Sequence, residues 1–220
     1  MDPVRFFTAG FRALARLRQF APAPTDYGDN ARNRDGPPSQ DSAIARSTNG
    51  GIDDRTMPEL NAEAIALADD DRLRAILRSI CDATGMGFAA VARVTEQRWI
   101  ACLVEDRIDF GLDPGGELEI RQTICDEIRE SGEAIVFDDA SDDIKWSRHP
   151  VPVIYGFKSY CAFPVYLEDG TFFGTLCAID PERRHVDDAA IIAMFSNYAK
   201  TVGAIVSQAI LESVSEPAST

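Results

Sequence analysis

The chain has 220 residues, 45% of them hydrophobic, and carries a net charge of −14. Such an acidic surface repels phosphate backbones and argues against a nucleic-acid partner. No uninterrupted apolar run reaches the roughly 18–20 residues that span a bilayer, and the start lacks the apolar core and small-residue cleavage site of a secretory leader. The expectation is therefore a cytoplasmic protein. The charge is uneven: residues 1–60 hold eight basic and eight acidic side chains, so the entire excess of acid lies in residues 61–220.

Residues 1–20 contain Val4, Phe7, Phe11 and Leu14 at helical spacing, with Arg5, Arg12, Arg16 and Arg18 between them. This reads as an amphipathic helix whose basic side would make only weak membrane-surface contact. Residues 21–59 are rich in Pro, Gly, Asn, Asp and Ser and poor in large apolar side chains. They bury too little surface to offset the entropy of ordering and read as a disordered linker.

The globular unit is expected over residues 60–213, with a flexible tail at 214–220. Between residues 60 and 84 an amphipathic helix is marked by Leu73, Ile76, Leu77 and Ile80 on one stripe, and Gly85 and Gly87 stop it. Two β-rich runs, GFAAVARVTE and WIACLVE, flank a turn at Gln97-Arg98. DPGGELEI combines a turn with a short strand, Thr123 to Ser131 reads as a short helix closed by Gly132, and AIVFDD as another strand. Residues 141–157 read as irregular, with helical turns limited by Pro150 and Pro152. SYCAFPVYL and TFFGTLCAID form a hairpin around Glu168-Asp169-Gly170. Asp187 is placed to cap a last helix running to about Ser213, with Ile191, Phe195, Tyr198, Val202, Ile205 and Ala209 on one stripe. Hairpins dominate, so the fold class is α+β. A mostly antiparallel sheet would carry the N- and C-terminal helices on one face and a loop and short-helix cover, residues 138–157, on the other.

Three segments in order, RAILRSICDATGMGFAAVARV, TICDEIRESGEAIVFDDAS and GFKSYCAFPVYLEDGTFFGTLCAIDPERR, resemble the GAF family over about residues 60–210. The resemblance is closest to GAF domains at the N-terminus of bacterial sensor histidine kinases. Their shared signs have physical roles. Gly156 allows a reversal, Pro164 implies an edge or bulge, Gly170 suits a tight turn, and Gly174 implies close backbone approach.

The resemblance implies a sensory or regulatory module of bacterial signal transduction, such as a two-component system. It would bind a small molecule, a protein partner, or both. No phosphoacceptor helix pair, ATP-binding domain or Gly-rich phosphate loop is seen, so the expectation is a non-enzyme without its own output domain. Its partners would be a second copy of the chain and a sensor histidine kinase or other signalling protein. Ligand candidates under the cover are Trp146, Tyr155, Tyr160 and Phe163 as walls, with Arg148 and His149 as polar anchors. The ligand itself is left open, and no cofactor is assigned.

Specialised members of the family supply the alternatives. No match to the cyclic-nucleotide motif is found. Bilin-binding members use a Cys-His pair; here the comparable stretch is Ser147-Arg148-His149-Pro150. Covalent attachment there is excluded, and a non-covalent tetrapyrrole with Arg148 on a propionate is the photosensor alternative. A thiol-based redox enzyme or sensor, similar to the methionine sulfoxide reductases of this fold, would use Cys125, Cys161 or Cys177, although the cysteine spacing of those enzymes is not reproduced. The five cysteines, Cys81 and Cys102 included, are odd in number and show no CxxC spacing, so neither a disulfide framework nor a zinc site is expected. For Cys161 and Cys177 the turn decides: a three-residue loop places them opposite each other, and a two-residue loop places Cys161 opposite Ala178. Asp138, Asp139, Asp142 and Asp143 read as a solvated acidic loop and not as a metal site.

Overall fold

The computed structural model describes residues 67–215, with side chains described as far as Glu212. The expected helix at 1–20, the linker at 21–59 and the residues after 215 lie outside the described residues. Among the described residues, four α-helices and six strands follow in order: α1 (Asp71–Thr84), β1 (Phe88–Val94), β2 (Arg98–Asp106), β3 (Glu117–Glu119), α2 (Cys125–Ser131), β4 (Ile135–Phe137), α3 (Pro150–Tyr155), β5 (Ser159–Tyr166), β6 (Phe172–Asp180) and α4 (Ala189–Ser215). The strands form one antiparallel sheet in the order β3-β2-β1-β6-β5-β4.

Local chemistry explains the boundaries. The Asp70 carboxylate accepts from the N–H groups of Arg72 and Leu73 and starts α1. Leu73, Ile76, Leu77 and Ile80 are all buried on one side of it. The start of α4 differs from the expectation. Asp188, not Asp187, is the cap, accepting from Ala190 N and Ile191 N. The Asp187 N–H is directed instead to the Asp138 carboxylate. The 141–157 region is more helical than expected: three-residue 3-10 turns at Ala140–Asp142 and Trp146–Arg148 precede α3. Pro150 occupies the first turn of α3, where its missing N–H costs nothing, and so begins a helix that it was expected to limit.

The sheet is covered on both faces, and there are two cores. The helix side packs α1 and α4 against Val91, Ile100, Cys161, Phe163, Phe173 and Leu176. The opposite side packs α2, α3 and the intervening loop against Phe88, Trp99, Tyr160, Cys177 and Ile179. Double coverage leaves β1 buried at every position, which is why its sequence shows no polar alternation.

α4 has a mean hydropathy of 1.4 over Ala189–Glu212, enough by length and composition to cross a bilayer. That corrects the expectation drawn from uninterrupted apolar runs, which polar residues in this helix interrupt. In the fold its inward side chains Phe195, Val202 and Val206 are fully buried against the sheet, each contributing about 1.5–3 kcal/mol. Gly203 permits the close approach: a side chain there would collide with the Tyr166 carbonyl of β5. Gly174 plays the equivalent part within the sheet, where any Cβ would overlap the Ala92 backbone.

The β5–β6 hairpin combines features of both expected registers. Leu167 N–H donates to the Thr171 carbonyl at 2.8 Å, so three residues form the loop. Tyr166 then pairs with Phe172 but Val165 with Gly174, leaving Phe173 as an extra residue in a bulge. The register slips by one, and Cys161 faces Ala178 while Ala162 faces Cys177. Pro164 is tolerated in β5 because β4 pairs only with Tyr160 to Ala162 and stops before reaching it.

Candidate functional site

A cavity of about 50 Å³ lies between the sheet and its outer cover. Phe88, Trp99, Leu118, Tyr160, Cys177 and Ile179 come from the strands; Thr123, Ile124 and Cys125 from the start of α2; Val151, Tyr155 and Phe157 from in and around α3; Phe110 and Leu112 close the remaining side. None of these fourteen side chains is charged at neutral pH unless a thiol ionises. The walls select for apolar or weakly polar molecules and penalise ions, which would lose their hydration without a partner.

The cover is held by local hydrogen bonds and aromatic stacking. Asp139 caps the first turn through Ser141 N–H, and Asp143 accepts from the N–H groups of Lys145 and Trp146. His149 Nδ1 accepts from Val151 N–H at 3.3 Å and starts α3. Trp146 stacks on Phe137 at 5.2 Å, and Phe137 on Tyr160 at 5.5 Å, which ties the cover to the sheet. From the other side Glu127 of α2 makes ion pairs with Lys145 and, when its ring is protonated, with His149.

The acidic loop resolves into four separate local tasks. Asp138 accepts from Val186 N–H, Asp187 N–H and the His185 ring. Asp139 and Asp143 serve as described, and Asp142 pairs with Arg183. No group of three or more metal-ligating side chains is assembled among the described residues.

Two polar features stand out on these apolar walls. The Tyr155 hydroxyl is buried without a hydrogen-bond partner among the described residues, and burial pushes its pKa up to about 12, with Glu119 and Cys125 adding to the effect. Around the Cys125 sulfur, Trp99 Nε1–H and Thr175 Oγ1–H each donate from 3.3 Å, and the Tyr160 hydroxyl lies at 3.4 Å. Cys177 stands two residues beyond Thr175 on the same face of β6.

The structure separates the expected ligand residues. Tyr155 and Tyr160 do line the cavity. Trp146 is buried in the same outer core but lies behind the wall, stacked on Phe137. Phe163 is on the other face of the sheet, stacked on Phe195 of α4 at 5.6 Å, because strand alternation puts it one residue out of phase with Tyr160 and Ala162. Arg148 is exposed, and His149 is occupied with Val151 and Glu127; neither lines the cavity. Neither is placed as a polar anchor in the cavity, and Arg148 is not placed there to pair a tetrapyrrole propionate.

The expected thiols divide in the same way. Cys125 and Cys177 both line the cavity, whereas Cys161 is on the helix side, so the pairing of Cys161 with Cys177 that one of the two registers left open is not realised. Trp99, Phe88 and Phe110 are site residues that sequence reasoning missed. Their only sequence signal is an aromatic character shared with core positions. All five cysteines are buried.

The comparisons agree with this architecture. The family model described as GAF domain matches residues 70–203. Among solved structures, the chain is similar to the GAF domain of an Acinetobacter phosphoenolpyruvate-protein phosphotransferase, with 15% identity over 70% of this chain and 92% of that one and a TM-score of 0.52. It is similar to the GAF domain of a Bacillus halodurans two-component sensor histidine kinase, with 12% identity, 67% and 99% coverage and a TM-score of 0.50. A third is the blue-light-absorbing form of the Thermosynechococcus elongatus PixJ GAF domain, with 12% identity, 72% and 94% coverage and a TM-score of 0.51. At such identities the likeness is one of fold. No curated protein matches the chain in sequence.

Proposed function

Because this chain belongs to the GAF domain family, we propose that it is a sensory module whose outer cavity takes a small, uncharged, mostly apolar molecule and relays occupancy to a protein partner. The observation that carries this reading is the Tyr155 hydroxyl. It is a buried polar group without a partner among the described residues, on an otherwise apolar wall. An orphaned hydroxyl of this kind costs about 1–3 kcal/mol, and a ligand with one hydrogen-bonding group would recover that cost. The volume of about 50 Å³ is far below the roughly 300–1,000 Å³ of sites for drug-sized ligands. A few heavy atoms fit the cavity as it stands, and anything larger requires the cover at 138–157 to move.

The relay would be a population shift between cover arrangements. The partner would be a signalling protein such as a histidine kinase, a reading supported by the kind of protein in which a similarly folded domain occurs. The module acts without catalysis of its own and pairs with a second copy through α4, where Ile191 and Ile192 are only partly buried. The unlinked thiols of Cys81, Cys125, Cys161 and Cys177 fit a reducing, cytoplasmic setting.

Native mass spectrometry with an absorption spectrum, on full-length protein purified from its own host, tests the reading. The expected result is a stoichiometric small added mass that Tyr155→Phe weakens by about tenfold. Protein that carries no added mass, and gains none in host extract, overturns it.

A further inference from the structure

The chain's cysteines fall into two chemical classes. On the helix side, burial pushes the Cys81 thiol up to about 11 and the Cys161 thiol well above its ordinary range. Thiols held neutral in this way are inert. On the cavity side, Cys125 receives hydrogen bonds that a neutral thiol does not need. An indole N–H can only donate, so Trp99 treats the sulfur as an acceptor, and Thr175 does the same.

We propose that Cys125 and Cys177 form a dithiol site that reacts with hydrogen peroxide or a similarly small hydroperoxide, with Cys125 as nucleophile and Cys177 as resolving thiol. Four features of the structure support this. Thr175, which donates to the Cys125 sulfur, and Cys177 stand two residues apart on the same face of β6. Both line the cavity, which offers a route to an otherwise buried pair. The uncharged walls admit a small neutral oxidant and disfavour ions and bulky reagents. Cys177 also donates to the Ala90 carbonyl at 3.7 Å, which helps it keep its proton.

The electrostatics divide the two roles. The neighbouring Cys177 thiol, outweighing burial and joined by the hydrogen bonds of Thr175, Tyr160 and Trp99, draws the Cys125 thiol below its ordinary range. The contact with Cys125, reinforced by burial, raises Cys177 well above it. One sulfur is held ready as thiolate while its neighbour stores the proton.

The chemistry balances without a further reactant. The Cys125 thiolate attacks one peroxide oxygen, the O–O bond breaks, and Cys125 sulfenic acid and hydroxide form. Hydroxide takes the Cys177 proton and leaves as water. The Cys177 thiolate then attacks the sulfenic sulfur, forms the disulfide and displaces hydroxide, which solvent neutralises. The two sulfurs together lose two electrons, and the peroxide gains them. The new bond ties α2 to β6 and removes the acceptor from Trp99 and Thr175. Since α2 also carries Glu127, which pairs with Lys145 of the cover, the redox state would reach the same cover as ligand occupancy. The dithiol proposal does not depend on a ligand being bound.

The test treats reduced full-length protein with hydrogen peroxide and maps the cysteine peptides without reduction. The expected product has lost two hydrogen masses, with the Cys125 and Cys177 peptides linked. In Cys177→Ser, dimedone traps a sulfenic acid on Cys125, and in Cys125→Ser neither product forms. A linkage between other cysteines overturns the proposal, as does unchanged mass under a dose that oxidises free cysteine. If either variant fails to fold, the map of the unmodified protein decides alone.

Discussion

Trp99 of β2 points its indole N–H at the Cys125 sulfur from 3.3 Å, across the gap between the sheet and the first residue of α2. It is a donor-only group, so it stabilises the thiolate more than the thiol. Trp99→Phe keeps an aromatic wall and deletes the donor. Loss of a hydrogen bond to a charged acceptor is worth about 1.5–3 kcal/mol, so the midpoint for Cys125 ionisation should rise by about one pH unit or more. The check is the pH dependence of Cys125 alkylation by a small reagent, read by mass spectrometry. An unchanged midpoint would remove Trp99 from the thiolate cradle.

Tyr155 tests the cavity from the stability side. Its hydroxyl is buried and unpartnered, so Tyr155→Phe should stabilise the ligand-free protein by about 1 kcal/mol while weakening whatever binds there. Urea unfolding measures the first effect. A loss of stability of similar size would show that the hydroxyl is satisfied in solution.

The link between β4 and the approach to α4 is sensitive to pH. Asp138 accepts from His185, whose pKa is raised chiefly by that hydrogen bond. Burial acts to raise Asp138, but the bonds from Asp187, His185 and Val186 outweigh it and lower its pKa. The two signs oppose each other. The His185 contribution is fully present below its unfolded value of about 6.5 and is lost as pH rises through the raised folded value. The Asp138 contribution is present above its unfolded value and is lost as pH falls through the lowered one. His185→Ala should therefore differ most from the parent at mildly acidic pH and converge with it on the alkaline side. Asp138→Ala should cost about 2 kcal/mol throughout the neutral range. Thermal unfolding of the three proteins against pH checks both, and a His185→Ala effect that grows with pH would reverse the assignment.

Gly203 sets the distance between α4 and β5. Adding a methyl group drives it into the Tyr166 carbonyl, and overpacking of this kind costs about 1–3 kcal/mol. Gly203→Ala should lower the unfolding midpoint and speed amide exchange at the end of β5 and the middle of α4. Exchange unchanged in both segments would mean that the helix seat is looser than the contact implies.

Local patterns in the sequence by themselves determined most of the elements. The stripe of Leu73, Ile76, Leu77 and Ile80, the stops at Gly85 and Gly132, and the Glu168-Asp169-Gly170 loop act over a few residues, where capping, periodicity and turn chemistry dominate. From the order of these elements followed an antiparallel sheet with helices on one face and a cover on the other. Tertiary structure decided what depends on contacts between distant segments. The extra residue Phe173 in β6 moves Cys161 away from Cys177, and no turn motif reveals a bulge three residues beyond the loop. Strand phase sends Phe163 to the helix core and Tyr160 to the cavity, although both lie in one continuously apolar run. Asp138 claims the Asp187 N–H from 49 residues away and leaves Asp188 to cap α4. The Cys125 cradle draws Trp99, Tyr160 and Thr175 from three strands. Periodicity and propensity describe each segment by itself, whereas the site exists only where those segments meet.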